Sequence, residues 1–169
     1  MDGEGETGAT HEIAAAMQPL HLGQVTVLRI RGLLVSAVML VAAYVLDMGP
    51  LRETPVPEYA LPGAALLLAL YLVLLMPGRR YRAWGYAEGE DELAIRHGVF
   101  VRTRTIVPFG RVQHIDLSQG PIERRFDLAT LTLHTAGTRS AAVSLPGLLH
   151  EDAEGMRDRI RGKIRQDLV

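Results

Sequence analysis

Two long apolar segments in the first half of this 169-residue chain limit what it can fold into more than any other feature. The first, GLLVSAVMLVAAYVL at residues 32–46, carries no charge, and the second, LPGAALLLALYLVLLM at residues 61–76, is richer in leucine. A helix needs about 20 mainly apolar residues to cross the hydrocarbon core of a bilayer. Extending both segments to about that length predicts transmembrane helices over residues 27–48 and 59–77.

The connector between the predicted spans, residues 49–58, contains three prolines and one glycine and is therefore non-helical. Two helices joined in this way form an antiparallel hairpin. The first segment has two alternative interpretations, a buried helix of a soluble protein and a cleaved signal peptide. The second apolar segment argues against the former. The acidic residues before the segment and the lack of a small-residue cleavage site after Leu46 argue against the latter.

The placement of basic residues predicts the orientation of the hairpin, because cytoplasmic flanks are enriched in Lys and Arg. The connector holds a single basic residue, Arg52, with acids around it, whereas five basic residues flank the outer ends of the spans. These flanking residues are Arg29, Arg31, Arg79, Arg80 and Arg82. We therefore expect a multi-pass protein of the plasma membrane with both termini cytoplasmic and residues 49–58 extracytoplasmic. Trp84, just past the second span, is expected at the membrane interface.

The remaining chain divides into a short N-terminal segment and a soluble domain. Residues 1–26 are predicted to be disordered or a short N-terminal segment, because the first ten are rich in Gly and acids. Residues 78–169 are predicted to form the soluble domain. Alternation of side chains predicts strands over residues 92–97, 99–107, 111–119, 129–135 and 140–145, and residues 122–127 predict a short helical turn. In the third strand, Val112, His114, Asp116 and Ser118 share one face.

A helix is predicted over about residues 149–165. Acidic side chains at its start and basic ones at its end complement the helix dipole. Ala153, Met156, Ile160 and Ile164 form one apolar stripe. Short antiparallel strands followed by such a helix predict an α+β domain, an antiparallel sandwich or partly open barrel closed by its C-terminal helix. The whole chain is then a membrane helical hairpin plus this domain.

A longer motif carries a family resemblance. The stretch GVFVRTRTIVPFGRVQHIDLSQGPIERRFDLATLTLHTAGT, residues 98–138, resembles the bacterial pleckstrin-homology-like (PH-like) membrane proteins of the YdbS type. The family layout, two transmembrane helices followed by one such domain, is also similar. The motif residues are Pro108, Gly110, Gln113, His114, Gly120 and Pro121. The resemblance implies a PH-like fold, a membrane location, no known enzymatic activity, and assembly with a second copy or with a larger membrane paralogue that carries the same domain.

Catalytic or metal-binding chemistry finds little support in the sequence. The chain has no cysteine, which excludes a disulfide framework, thiolate metal sites and cysteine nucleophiles. His114, Asp116 and Ser118 resemble a triad, but alternate side chains on a strand are about 6.5 Å apart, so an exposed polar strand face is the preferred interpretation. His150, Glu151 and Asp152 point in different directions at a helix start and are better explained as capping residues. We expect no enzyme activity, cofactor or metal.

Binding to membranes or proteins is the remaining function class. A net charge of −1 argues against nucleic-acid binding. The candidate lipid or partner surface is basic and comprises Arg102, Arg104, Arg111, Arg124 and Arg125. The leading hypothesis is a non-enzymatic scaffold or subunit of a membrane protein assembly. The alternative is a sensor of anionic membrane lipid that uses this basic surface.

Overall fold

The computed structural model describes residues 17–49, 57, 59–135 and 142–166. These residues fall into two compact units. One is helical and comprises Val25–Arg80; the other, here called the β domain, comprises the described residues up to Gln24 together with those from Tyr81 onward. The predicted N-terminal segment up to residue 16 and most of the predicted connector lie outside the described residues.

The helical unit contains two helices that are long and apolar enough to cross a membrane. Helix α1 is Gly23–Met48. Helix α2 is Ala60–Ala83, in which a π-helical stretch, Tyr71–Leu75, separates two α-helical parts. Most of their apolar side chains are exposed, including Val38 and Leu67, unlike those of a core helix in a soluble protein. Both helices run beyond the predicted spans, because the flanking residues continue the helical backbone.

Two contacts join the helices as the predicted hairpin requires. At the connector end, the Tyr59 backbone N–H donates to the Asp47 carboxylate over 3.1 Å. Farther along, a Cβ added at Gly32 would lie 3.2 Å from the Leu72 carbonyl oxygen. Gly32 therefore permits the close backbone approach that small residues provide between membrane helices.

The β domain is built from two three-stranded antiparallel sheets with strand orders β1-β2-β3 and β4-β5-β6. The strands are β1 Gly85–Glu88, β2 Glu92–His97, β3 Thr103–Pro108, β4 Val112–Ser118, β5 Leu128–Thr135 and β6 Ala142–Leu149. A 3₁₀ turn, Phe109–Arg111, links the sheets, and helix α3, Pro121–Arg125, precedes β5. Helix α4 is His150–Gln166. The predicted architecture of short antiparallel strands and a C-terminal helix is confirmed.

One hydrophobic core unites both sheets and α4. Leu93 and Ile95 of β2 and Leu131 and Leu133 of β5 are almost fully buried in it. The apolar stripe of α4 is confirmed, since Ala153, Met156 and Ile160 are buried and Ile164 packs at the margin. Arg159 also anchors α4 to β1 through two 2.8 Å bonds to the Glu88 carboxylate.

The structure corrects the predicted strands at several places, and β6 in particular continues to Leu149, beyond its predicted end at Leu145. Val112 does not share a face with His114, because a register shift between them turns Val112 into the core while His114 stays exposed. The strand predicted from Val99 begins only at Thr103. The turn expected at Gly98, which has a φ of 108°, extends through residue 102. Strand β1 was not predicted, because four residues are too few to display a period.

The segment just before α1 belongs to the β domain rather than to a separate N-terminal segment. Gln18 pairs with Tyr86 of β1 through two backbone hydrogen bonds of 2.7 and 3.0 Å. The Leu20 side chain is 3% exposed and part of the core, and its carbonyl oxygen accepts from the Tyr81 hydroxyl over 2.9 Å. The His21 N–H donates to the Gly147 carbonyl oxygen over 2.9 Å. The predicted domain, residues 78–169, therefore lacks part of the structure that completes it.

Candidate interaction surfaces

The outward side of the β4-β5-β6 sheet, here called the polar face, presents hydrophilic side chains in cross-strand rows. Asp116, Thr132 and Ser144 form one row, and His114, His134 and Ala142 form the next. The Thr132 and Ser144 hydroxyls lie 3.0 Å apart and are hydrogen-bonded. The exposed polar strand face expected for His114, Asp116 and Ser118 is present.

Within the polar face, Asp116 lies between two histidines. The His114 Nε2 atom is 2.6 Å from Asp116 Oδ1, and the His134 Nε2 atom is 3.0 Å from Oδ2. The expectation that alternate side chains on β4 stay too far apart to interact was wrong for this pair, because side chains on a strand lean along its direction. His134 was missed, since its proximity depends on the register between β4 and β5.

This cluster does not form the triad or a metal site. The Ser118 hydroxyl faces the Thr130 carbonyl oxygen at 3.5 Å, so no serine joins the His–Asp pair. Both Nε2 atoms are directed at the Asp116 oxygens. In the part of the chain that the structure describes, no three His, Asp or Glu side chains are arranged to hold a metal ion. The arrangement can exchange protons and accept hydrogen bonds from a partner.

The electrostatics of the cluster give a pH-dependent prediction. Partial desolvation raises the pKa of the Asp116 carboxyl, but the hydrogen bonds and charges of His114 and His134 outweigh it, so the pKa lies below its ordinary value. A carboxyl with a depressed folded-state pKa stabilises the fold above its unfolded pKa, and that contribution is lost as the pH falls through the folded value. Asp116→Asn should therefore be less stable than the parent near neutral pH, and the difference should shrink below about pH 4.

Urea unfolding of the full chain in nanodiscs, followed by the fluorescence of its single tryptophan, measures this difference. Ser118→Ala, a change on the same strand face that removes no titratable group, should alter stability equally at both pH values. A stability loss in Asp116→Asn that is the same in acid as at neutral pH would contradict the ionic origin.

A second surface, here called the basic loop, comprises the β2–β3 connection and the strand residues that flank it. Arg102 and Arg104 are exposed, as predicted, and Arg96, which was not predicted, is the cross-strand partner of Arg104. Phe100 and Val101, at the tip, are 83% and 76% exposed. Both residues were predicted to lie in a strand, so their exposure at a loop tip was not predicted.

The other predicted basic residues belong to different elements. Arg111 is exposed at the end of the 3₁₀ turn between the sheets. Arg124 and Arg125 are exposed on α3, which contacts β5. Strand pairing therefore brings Arg104 next to Arg96, but it does not bring Arg124 or Arg125 next to Arg104.

The family motif residues have structural roles. Pro108 ends β3, Gly110 lies in the 3₁₀ turn, and Gln113 occupies the register shift in β4. Gly120 is the N-cap of α3 and Pro121 its first residue. Glu123, which was missed, is 5% exposed, and its carboxylate accepts from the Gly120 N–H over 2.8 Å. This Glu123 bond, with the proline at the helix start, explains the GPIE sequence as a capped helix.

The predicted membrane-flanking residues lie on both helices and just beyond α2. Arg29 and Arg31 are exposed on α1, and Arg79, Arg80 and Arg82 occupy the last turns of α2. The Arg79 guanidinium lies 6.0 Å from the centre of the Tyr71 ring. Trp84 is half-buried and packs against the core, with its ring centre 5.2 Å from that of His97. Much of the Trp84 ring therefore packs within the β domain.

Comparison with known proteins agrees with this architecture. The chain is 43% identical over 99 residues to the "UPF0699 transmembrane protein YdbS" of Bacillus subtilis (strain 168), which covers 58% of this chain and 60% of that protein. It is 28% identical over 106 residues to the "UPF0699 transmembrane protein YdbT" of the same organism, covering 62% of this chain and 22% of that protein. The chain thus matches less than two thirds of the length of either relative.

No solved structure matches the chain significantly. The model of the bacterial PH domain family matches residues 20–164, which include Leu20, both long helices and the β domain through most of α4. The predicted YdbS-type family and PH-like fold are therefore confirmed, and the chain belongs to the bacterial PH domain family as a membrane-associated member.

Proposed function

We propose that this protein is a non-enzymatic scaffold or subunit of a membrane protein assembly. Both long helices cross the plasma membrane, the two termini are cytoplasmic, and the β domain holds a partner there. The placement of Arg29, Arg31, Arg79, Arg80 and Arg82 supports this orientation.

The observation that carries the proposal is the outer edge of β4. Among the described strands, β4 pairs with β5 alone, and the other edge of β4 is where we propose that a strand is added. Exposed strand edges are templates for pairing with another chain, and main-chain hydrogen bonds then supply affinity. The adjacent polar face, with Asp116 held between two histidines, supplies side chains that select the partner.

The partner we propose is a second copy of this chain or a larger membrane protein with the same domain. The similarity to a short part of the longer transmembrane protein YdbT supports the second choice, because it shows related sequence inside a larger membrane protein. Related domains have related strand edges, which favours pairing between them.

Site-directed crosslinking tests the scaffold proposal. Because the chain has no cysteine, a single cysteine at Gln113 on the β4 edge can carry a crosslinker within native membranes. We expect a discrete product with the mass of two copies or of this chain plus a larger membrane protein with the same domain. The matched control is Glu151→Cys, an exposed position at the start of α4. Identical products from both positions, or none from Gln113, would contradict a β4-edge interface.

The basic loop favours a second candidate function, a sensor of anionic membrane lipid. Arg96 and Arg104 are cross-strand partners, and Arg102 immediately precedes β3, so three guanidinium groups lie in or beside the basic loop. An anionic surface attracts basic side chains near it by about 1 kcal/mol each. Hydrogen exchange over the basic loop should therefore be slower in anionic than in neutral nanodiscs.

Charge reversal separates this candidate from non-specific attraction. The double variant Arg102→Glu with Arg104→Glu should abolish the lipid-dependent difference, whereas Arg124→Glu with Arg125→Glu on α3 should keep it. The full chain is needed, because a fragment beginning at Arg79 would lack the core residue Leu20. Equal exchange in both lipids for the parent would exclude lipid sensing by this loop.

A further inference from the structure

We propose that the tip of the basic loop, Phe100 and Val101, inserts into the surface of an anionic bilayer as an apolar wedge. This inference deepens the lipid-sensing candidate and rests on it. The partner is the lipid bilayer, in which the apolar tip enters the acyl boundary while the neighbouring guanidinium groups stay at the phosphates.

The exposure of the tip is the first observation. Phe100 is 83% exposed and Val101 76%, two adjacent large apolar side chains at one point. Within the described part of the β domain, the other exposed large apolar side chains are Leu22 at 71% and Ile106 at 37%, and these two are not adjacent. Single exposed apolar residues are ordinary, but two together at a loop tip favour contact with a less polar medium.

The shape of the loop is the second observation. The strand pairing of His97 with Thr103 closes the base, so five residues form the turn. Gly98 has a φ of 108°, and a Cβ there would collide with the Val101 carbonyl oxygen. The turn is therefore closed tightly behind the tip and holds Phe100 and Val101 outward, so their insertion requires no rearrangement of the loop.

The charges beside the tip identify its partner. Arg102 adjoins Val101, and Arg104 with its cross-strand partner Arg96 lies about 6.6 Å farther along the strand. Guanidinium groups bind phosphate with two parallel hydrogen bonds. In an anionic bilayer, the apolar tip can enter the acyl region while the neighbouring guanidinium groups bind the phosphates above it. An apolar groove in a protein would give these charges no anionic partner.

The position of the loop along the chain fits this partner. Arg96 pairs with Gly85, so the loop lies at the end of the sheet where β1 starts. Only Trp84 separates Gly85 from the last residue of α2. The chain therefore enters this end of the sheet directly after α2, the second helix that is long and apolar enough to cross a membrane.

Site-directed spin labelling of the full chain in nanodiscs tests the wedge. The cysteine-free sequence allows one label at a time. The label is placed by Val101→Cys, and the matched control is Ser144→Cys, an exposed position on the polar face of the other sheet. Collision with oxygen, which concentrates in the acyl region, is compared with collision with a water-soluble nickel chelate.

In anionic nanodiscs we expect the label at residue 101 to be open to oxygen and shielded from the chelate, while the label at residue 144 meets the chelate freely. Adding Phe100→Ser should lower the inserted fraction relative to the free fraction about tenfold, since removing one aromatic side chain from an apolar medium changes a partition equilibrium by that factor or more. A label at residue 101 that meets the chelate as freely as the one at residue 144 would overturn the wedge.

Three further outcomes distinguish failure of the wedge from failure of the lipid-sensing candidate on which it rests. Insertion of equal extent in neutral and anionic nanodiscs would support the wedge but exclude anionic-lipid sensing. Shielding of the label at residue 101 from oxygen and chelate alike would mean burial in a protein contact and would overturn the wedge. If anionic lipid slows hydrogen exchange over the basic loop but the label at residue 101 is fully accessible to the chelate, the loop senses lipid without inserting. That result would overturn the wedge and keep the lipid sensor.

Discussion

Leu20→Ala is expected to lower the free energy of unfolding of the β domain by about 2–5 kcal/mol, the usual cost of truncating a buried leucine. Leu20 lies in the chain before α1, yet its side chain is 3% exposed and part of the core formed by both sheets and α4. Urea unfolding of the full chain in nanodiscs measures the loss, and Trp84, the single tryptophan, reports on the core against which it packs.

Leu22→Ala is the matched control for this prediction. Leu22 is two residues away, has the same side chain and is 71% exposed, so its truncation leaves no cavity. The expected change is within about 0.5 kcal/mol. Equal losses in the two variants, or no loss in Leu20→Ala, would show that the segment before α1 is not part of the folded domain.

The sequence could predict the elements that display a full period. Strand β2 alternates over six residues and matches its predicted bounds, and the stripe of α4 recurs over several turns. The two long apolar helices, α1 and α2, display an even longer pattern. The segment around Leu20 has one buried leucine next to Pro19, which is too little pattern to assign it to a sheet. Its place is decided by pairing with β1, a contact between residues nearly 70 positions apart.

Neighbouring residues in the candidate surfaces were predicted only where they lie on the same strand. His114 and Asp116 share β4, so the sequence names both, but His134 joins them through the register with β5. Arg96 likewise reaches Arg104 only through pairing of β2 with β3. The register shift at Gln113 and the extension of the Gly98 turn through residue 102 change which side chains face outward, and a strict two-residue period hides both.

Gly147→Ala is expected to destabilise the β domain by about 2–4 kcal/mol. Gly147 has a φ of 73°, a backbone conformation that costs a residue with a side chain about 1–3 kcal/mol. An added Cβ would also lie 2.8 Å from the Gln24 Cγ atom and 2.9 Å from its Cβ, which is fixed to the backbone of α1. Because the Gly147 carbonyl accepts from His21, the clash loosens the segment that holds Leu20 in the core. Urea unfolding with Trp84 fluorescence measures the change.

Gly162→Ala tests the same substitution where neither constraint acts. Gly162 lies inside α4, its φ is not in the left-handed region, and an added Cβ meets nothing within 4 Å. Alanine should therefore stabilise the helix by about 0.5–1 kcal/mol, because it loses less backbone entropy than glycine on folding. The two variants should thus move the urea midpoint in opposite directions. A Gly147→Ala variant as stable as the parent would mean that the close approach of Gln24 to β6 is not maintained in solution, and the docking of residues 17–24 would fail with it.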